Sequence, residues 1–189
     1  LKKKFTIKKI SYEKFNKFDK DKLSSIDYII NCSIHKKYFK KKYFIKNDLD
    51  LKIANKIKDY DTRFIFLSTR KVYNLGDNIK ESFKKNPQCN YSKNKLISEK
   101  KLLKLLDDKL LILRISNIIG YYQRKNNRRI HNTFVNQFFK NVKKGIVYDN
   151  KKLYRDFISI SQFSEIIKEF IKKKSHGIYN ISMGKKVYL

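Results

Sequence analysis

Hydrophobic positions along the chain fall into short continuous runs separated by longer segments of helical periodicity. IDYIINC (Ile26–Cys32), RFIFLS (Arg63–Ser68), LLILRI (Leu110–Ile115) and FISI (Phe157–Ile160) are nearly all apolar, and IYNI (Ile178–Ile181) is a weaker fifth run. Runs that are apolar on both faces predict strands covered on both sides. Before the second run, Ile45, Leu49, Ile53 and Ile57 recur at helical spacing and predict one buried stripe; Leu96, Leu102, Leu103 and Leu106 do the same before the third. Two later helices are predicted, over Asn132–Lys144 with Gly145 as C-cap and over Ser161–Lys174, ending before Gly177. Strand and helix thus alternate, which predicts an α/β fold with a doubly wound parallel sheet. Ligands in such sheets sit beyond the carboxyl ends of the strands. That rule selects Asn31, Cys32 and Ser33, then Ser68 and Thr69, then Ser116 and Asn117.

Composition supports a folded core, with 41% hydrophobic and 14% aromatic residues in 189. The formal charge of +30 raises nucleic acid or an anionic surface as partner. Only seven of the 47 basic residues are arginine, the side chain suited to bidentate phosphate reading, and the lysines run the whole length of the chain. The charge therefore reads as a solvated surface, with no specific nucleic acid expected and a basic polyanion-binding module as the alternative. Cys32 and Cys89 form no CxxC, and His35, His131 and His176 are scattered, so no metal site is expected. Two isolated cysteines suit a reducing compartment. No stretch has the apolar core of a signal peptide or the ~20 apolar residues of a membrane span, and the expected location is cytoplasmic. The start at Leu1 and the stop soon after Gly184 read as an N-terminally truncated excerpt of a longer chain.

Four Tyr/Lys pairs share a four-residue spacing: Tyr38/Lys42, Tyr91/Lys95, Tyr121/Lys125 and Tyr148/Lys152. The abundance of both residues produces about as many by chance, so spacing alone carries nothing. Only Tyr91/Lys95 opens a predicted helix shortly after a strand ending in Ser68 and Thr69. Tyr91 and Lys95 share one helix face there.

These segments together resemble the extended short-chain dehydrogenase/reductases, also called NAD-dependent epimerase/dehydratases. IDYIINCS resembles a core strand of that family with its cofactor-contacting end, STRKVY its Ser/Thr-x-x-Val-Tyr segment, and KESFKKNPQCNYSKNK its Glu, Pro and Tyr-x-x-x-Lys run. LRISNIIG resembles its Arg-x-x-Asn-x-x-Gly, YRDFISI the Arg-Asp-Phe-Ile segment of nucleotide-sugar enzymes, and Asn47 a helix asparagine. The resemblance implies a Rossmann-like fold that uses NAD or NADP and acts on a nucleotide-diphosphate sugar. Tyr91 would be the acid/base, and Lys95 the cation that stabilises its phenolate and bonds the nicotinamide ribose. Thr69 would hold the reacting oxygen, with Ser68 as second choice. Asp19, Cys32, Ser33 and Asn47 would serve the cofactor, Asn47 by supporting Lys95 through ordered water or backbone. Asn117 and Arg155 would hold the substrate diphosphate. Bland readings stand beside these: Tyr91 or Cys32 as packing residues, Asp19 as a surface acid, Arg155 with Asp156 as a surface pair, and Arg114 as a structural ion pair.

The sequence departs from the family in having no glycine-rich turn, since its first glycine is Gly76, and in carrying Gln162 where an acid usually follows Arg-Asp-Phe-Ile. The expected architecture is residues 1–120 as a partial NAD(P)-binding core lacking its first strands. Residues 121–189 would form part of a small C-terminal substrate lobe, interleaved with returning core strands. The expected activity is that of an epimerase or keto-reductase. Dehydratase ranks lowest because Arg70 and Lys71, not acids, follow Thr69. An inactive relative and the polyanion module are the alternatives, and a homodimer is left open.

Overall fold

The computed structural model describes residues 5–120, 138, 140–146 and 154–188. Most of the helix expected over Asn132–Lys144, together with His131, Tyr121/Lys125 and Tyr148/Lys152, lies outside them.

Strands β1 (Tyr28–Ile30), β2 (Arg63–Thr69), β3 (Leu110–Ile115) and β7 (Gly177–Ile181) form one sheet in the order β1-β2-β3-β7, parallel throughout. Side chains alternate across it. Phe64, Phe66, Leu110 and Ile112 face one side, where they pack with Phe15 of α1 (Tyr12–Asn16), Leu23 of α2 (Lys20–Ser24), Leu51, Ile53, Ala54 and Ile57 of α4 (Leu49–Ile57), and Leu102 and Leu106 of α5 (Asn90–Leu106). Ile65, Leu111, Leu113 and Ile115 face the other side, under Phe163 of α6 (Ile160–Lys172). The continuous apolar runs thus reflect a sheet covered on both faces, as expected of parallel strands. A short helix α3 (Lys36–Lys40) lies between β1 and α4.

Two small sheets flank this core. β4 (Asn117–Ile119) pairs in parallel with β6 (Phe157–Ser159), and β5 (Tyr154–Arg155) pairs antiparallel with β8 (Val187–Tyr188). FISI is therefore a strand of a side sheet, cut short at Ser159. The Ser159 hydroxyl accepts from the Gln162 amide N–H at 3.2 Å, and the Gln162 side chain accepts from the Ser159 amide at 3.1 Å, a reciprocal cap that turns the chain into α6 at Ile160. Gln162, where the family pattern has an acid, is occupied with this cap. Ser159→Ala is expected to lower stability by about 1 kcal/mol, read as a shifted urea midpoint at unchanged slope.

Other expectations are corrected in detail. The first strand stops at Ile30, because Asn31 turns back to bond Ser33. Ile45 lies in a 3-10 turn and is 52% exposed, outside the stripe; Asp48, whose carboxylate accepts from the Leu51 amide at 3.0 Å, starts α4 only at Leu49. On α5, Leu96 and Leu103 are only partly buried, while the buried face comprises Ser92, Asn94, Lys95, Ser98, Glu99, Leu102 and Leu106.

Candidate active site

Parallel strands bring the ends of β1, β2 and β3 to one edge of the sheet, and α5, which runs back from that edge toward the start of β3, begins there. Its first half buries polar groups and its second half leucines. At its start, the Ser92 hydroxyl accepts from the Cys89 amide at 3.3 Å and donates to the Cys89 carbonyl at 3.0 Å, closing the first turn.

Tyr91 is partly buried, with its ring against Phe39 at 5.0 Å between centroids. Burial pushes its phenol above the ordinary tyrosine range; Lys95 pulls it down, and Asp50 and Cys89 push it up. The cation acts in the expected direction, but loss of solvent outweighs it. Lys95 is buried, and its ammonium lies 3.3 Å from Asp50 Oδ2 and 4.2 Å from the centre of the Phe66 ring. Asn31 donates to the other Asp50 oxygen at 2.7 Å, and the Asn31 side-chain oxygen accepts from the amide and hydroxyl of Ser33. Asn47 lies in the 3-10 turn before α4 and makes no side-chain hydrogen bond among the described residues. The direct contact of the Lys95 ammonium is with Asp50.

Thr69 ends β2, and its hydroxyl oxygen accepts from the Lys71 amide at 3.3 Å, which leaves its proton free to donate. Ser68 is committed elsewhere. Its hydroxyl donates to Glu99, one α5 turn beyond Lys95, and Glu99 is held by Arg114 through Nη2 at 2.6 Å and Nε at 3.1 Å. Arg114 also donates to the Tyr73 hydroxyl, which in turn donates to Asn180 Oδ1 at 3.0 Å. Glu99 and Arg114 are 1% and 2% exposed, so Arg114 is a structural ion-pair residue and Ser68 belongs to its network. A second network crosses the same helix: Ser98 donates to Asp48 and shares a 2.7 Å bond with Tyr38, while Asn94 donates to the Tyr38 carbonyl at 2.7 Å. Tyr38, of the pair Tyr38/Lys42, is thus a buried packing residue.

Asp19 caps α2, accepting from the Lys22 amide at 2.9 Å and the Lys22 ammonium at 2.8 Å on an exposed surface, which supports the bland reading. Cys32 and Ser33 are exposed just beyond β1. Asn117 donates to the Asp156 carbonyl at 2.8 Å, and the Asp156 carboxylate accepts from the Met183 and Lys185 amides at 2.9 and 3.0 Å, so Asp156 fastens the segment after β7. Arg155 donates to the Tyr154 carbonyl at 3.1 Å. Burial, and then the Arg155 charge, lower the pKa of Arg70, next to Thr69, with Asp156 opposing. No group of His, Cys, Asp and Glu among the described residues could hold a metal ion, and no described helix is long and apolar enough to cross a membrane.

Sequence reasoning missed Asp50, Asp48, Glu99 and Arg70. The signal available for the acids was scarcity: against 47 basic residues the chain has 17 acids, and three of these, Asp48, Asp50 and Glu99, are buried around α5.

A family model described as "NAD dependent epimerase/dehydratase family" matches residues 11–182. Among solved structures, the UDP-N-acetylglucosamine 4-epimerase of Methanobrevibacter ruminantium, in complex with UDP-N-acetylmuramic acid, is 21% identical with a TM-score of 0.69, over 89% of this chain and 58% of that one. The dTDP-glucose 4,6-dehydratase of Bacillus anthracis with NAD is 19% identical with a TM-score of 0.66, over 86% and 53%. The UDP-glucuronic acid 4-epimerase of Bacillus cereus, with a fluorinated UDP-glucuronic acid and NAD, is 18% identical with a TM-score of 0.65, over 89% and 57%. The chain thus spans little more than half the length of these structures, and the likeness establishes the Rossmann-like fold. No curated protein matches it.

Proposed function

Since this chain belongs to the NAD dependent epimerase/dehydratase family, we propose that it is the catalytic portion of an NAD(P)-dependent epimerase or keto-reductase acting on a nucleotide-activated sugar, with Tyr91 as acid/base. One observation carries the reading. The phenol of Tyr91 and the buried ammonium of Lys95 share the first half of α5, while the Thr69 hydroxyl ends the adjacent strand β2. The other Tyr/Lys pair within the described residues, Tyr38/Lys42, spends its tyrosine hydroxyl on Ser98.

These residues fit the nicotinamide end of the cofactor. The Tyr91 hydroxyl makes no hydrogen bond among the described residues, and Lys95 offers a positively charged donor for a ribose hydroxyl. No glycine precedes Gly76, so the segment up to β2 contributes no glycine-rich pyrophosphate turn. When bound, the nicotinamide would supply hydride transfer; the protein's part is to bind, orient and move one proton. Burial keeps Tyr91 neutral near neutral pH, ready to give its proton to a sugar carbonyl oxygen held by Thr69. In the opposite direction Tyr91 takes the hydroxyl proton, and the positive charge of Lys95 favours the phenolate that must precede this. Arg155 is the expected clamp for the substrate's diphosphate, a role to which the guanidinium fork is suited. The UDP-sugar and NAD complexes of the similar structures support the same classes of ligand here.

Calorimetric titration with NAD, NADP and UDP- or dTDP-sugars at low and moderate salt is the test. Saturable binding that survives moderate salt is expected. Binding of any polyanion that collapses steeply as salt rises, with no nucleotide-sugar binding, would sink the proposal in favour of a basic polyanion module.

A further inference from the structure

We propose that Asp50 is the positioning residue for Lys95, fixing the ammonium in place and limiting how much of its charge reaches Tyr91. The inference deepens the reading above and rests on Tyr91 being the acid/base. A lysine has a flexible four-carbon stem and three rotatable donors, so its head goes where a partner holds it. The partner here is the Asp50 carboxylate, 3.3 Å away, and both side chains are only 7% exposed. Asp50 is itself held from outside its helix, since Asn31 at the end of β1 donates to its second oxygen at 2.7 Å. The chain of contacts therefore runs from the carboxyl edge of the sheet through Asn31 and Asp50 to Lys95.

The groups acting on Asp50 come from every neighbouring element. Burial pushes the Asp50 carboxyl above the ordinary carboxylate range; Lys95 and the Asn31 amide oppose this by favouring the charged form, while Asp48 of the same helix start adds to the rise. Tyr38 of α3, Cys32 beyond β1 and Tyr91 of α5 each feel its negative charge. At Tyr91, Asp50 and Lys95 act in opposite directions. Removing the Asp50 charge while keeping its shape leaves the ammonium uncompensated, and the phenolate becomes easier to form. Asp50 is therefore a control on the ionisation of Tyr91.

The test is an NMR titration of tyrosine labelled at the ring carbon bearing oxygen, with the Tyr91 signal assigned from Tyr91→Phe. In Asp50→Asn the Tyr91 midpoint is expected to shift downward, and the pH profile of kcat/KM to shift with it. An unchanged or upward midpoint in Asp50→Asn overturns the proposal. A measurement on the unaltered protein needs no folded variant. The Lys95 side-chain nitrogen signal is expected to move over the pH range in which the Asp50 carboxyl carbon titrates, and a signal that ignores that titration overturns the proposal too. The two claims fail separately, since retained turnover in Tyr91→Phe removes the acid/base assignment and leaves the Asp50 coupling to be read from the spectra.

Discussion

Tyr91→Phe is expected to lower turnover on a nucleotide sugar by about 10²–10⁴-fold, the usual contribution of a positioned acid/base, without unfolding the protein. The variant removes only a hydroxyl. The ring's contact with Phe39, at 5.0 Å between centroids, is retained, and the lost hydroxyl makes no hydrogen bond among the described residues. No buried partner is left unsatisfied, so the melting temperature should stay close to that of the parent. Cofactor binding should also persist, because Lys95 keeps its place on Asp50. Steady-state assays beside thermal melts check both halves. A variant that keeps its full rate ends the assignment of Tyr91.

Glu99→Ala is expected to cost about 3–5 kcal/mol of folding stability, the range for breaking one side of a buried ion pair. Glu99 accepts from Arg114 and from Ser68 and is almost wholly enclosed. Its removal strands the Arg114 guanidinium, which keeps the Tyr73 hydroxyl and ring and a 3.3 Å bond to the Glu81 carbonyl among the described residues. Replacing Glu99 and Arg114 together with Leu and Met should recover much of the loss, since an apolar pair of similar volume needs no compensation. Chemical denaturation of both single variants and the double measures this coupling. A single-variant cost below about 1 kcal/mol would show that the pair is solvated and weak.

The sequence was most informative where burial is apolar. The runs that became β2 and β3 read correctly as strands covered on both faces, and with the alternating helices they led to the parallel sheet. Reading failed where burial is polar. Hydrophobic periodicity placed Leu96 and Leu103 on the inner face of α5, whereas Asn94, Lys95, Ser98 and Glu99 lie there, each satisfied by a partner far away in the chain. Those partners, Tyr38, Asp50, Asp48 and Arg114, cannot be paired from sequence without knowing which segments meet. The same holds for Asp50, whose contact with Lys95 no sequence pattern announced. The short helices α1, α2 and α3, of five residues each, offer too few turns for a period to be seen. The FISI run misled because three apolar residues and a serine cannot distinguish a core strand from a strand that ends in a helix cap.

The division of α5 into a polar first half and a leucine second half has a consequence for how the protein can change. Leu102 and Leu106 lie among other hydrocarbons, so Met or Ile at either position changes packing by small amounts and many solutions are open. Asn94, Ser98 and Glu99 are each matched to a particular donor or acceptor, and a replacement at one requires a simultaneous replacement at its mate. Random variation would therefore sample the last two turns of this helix freely while leaving its first half almost untouched. In a saturation library, the boundary between permissive and restricted positions should fall between Glu99 and Leu102, and restriction would extend to residues with no contact to any substrate.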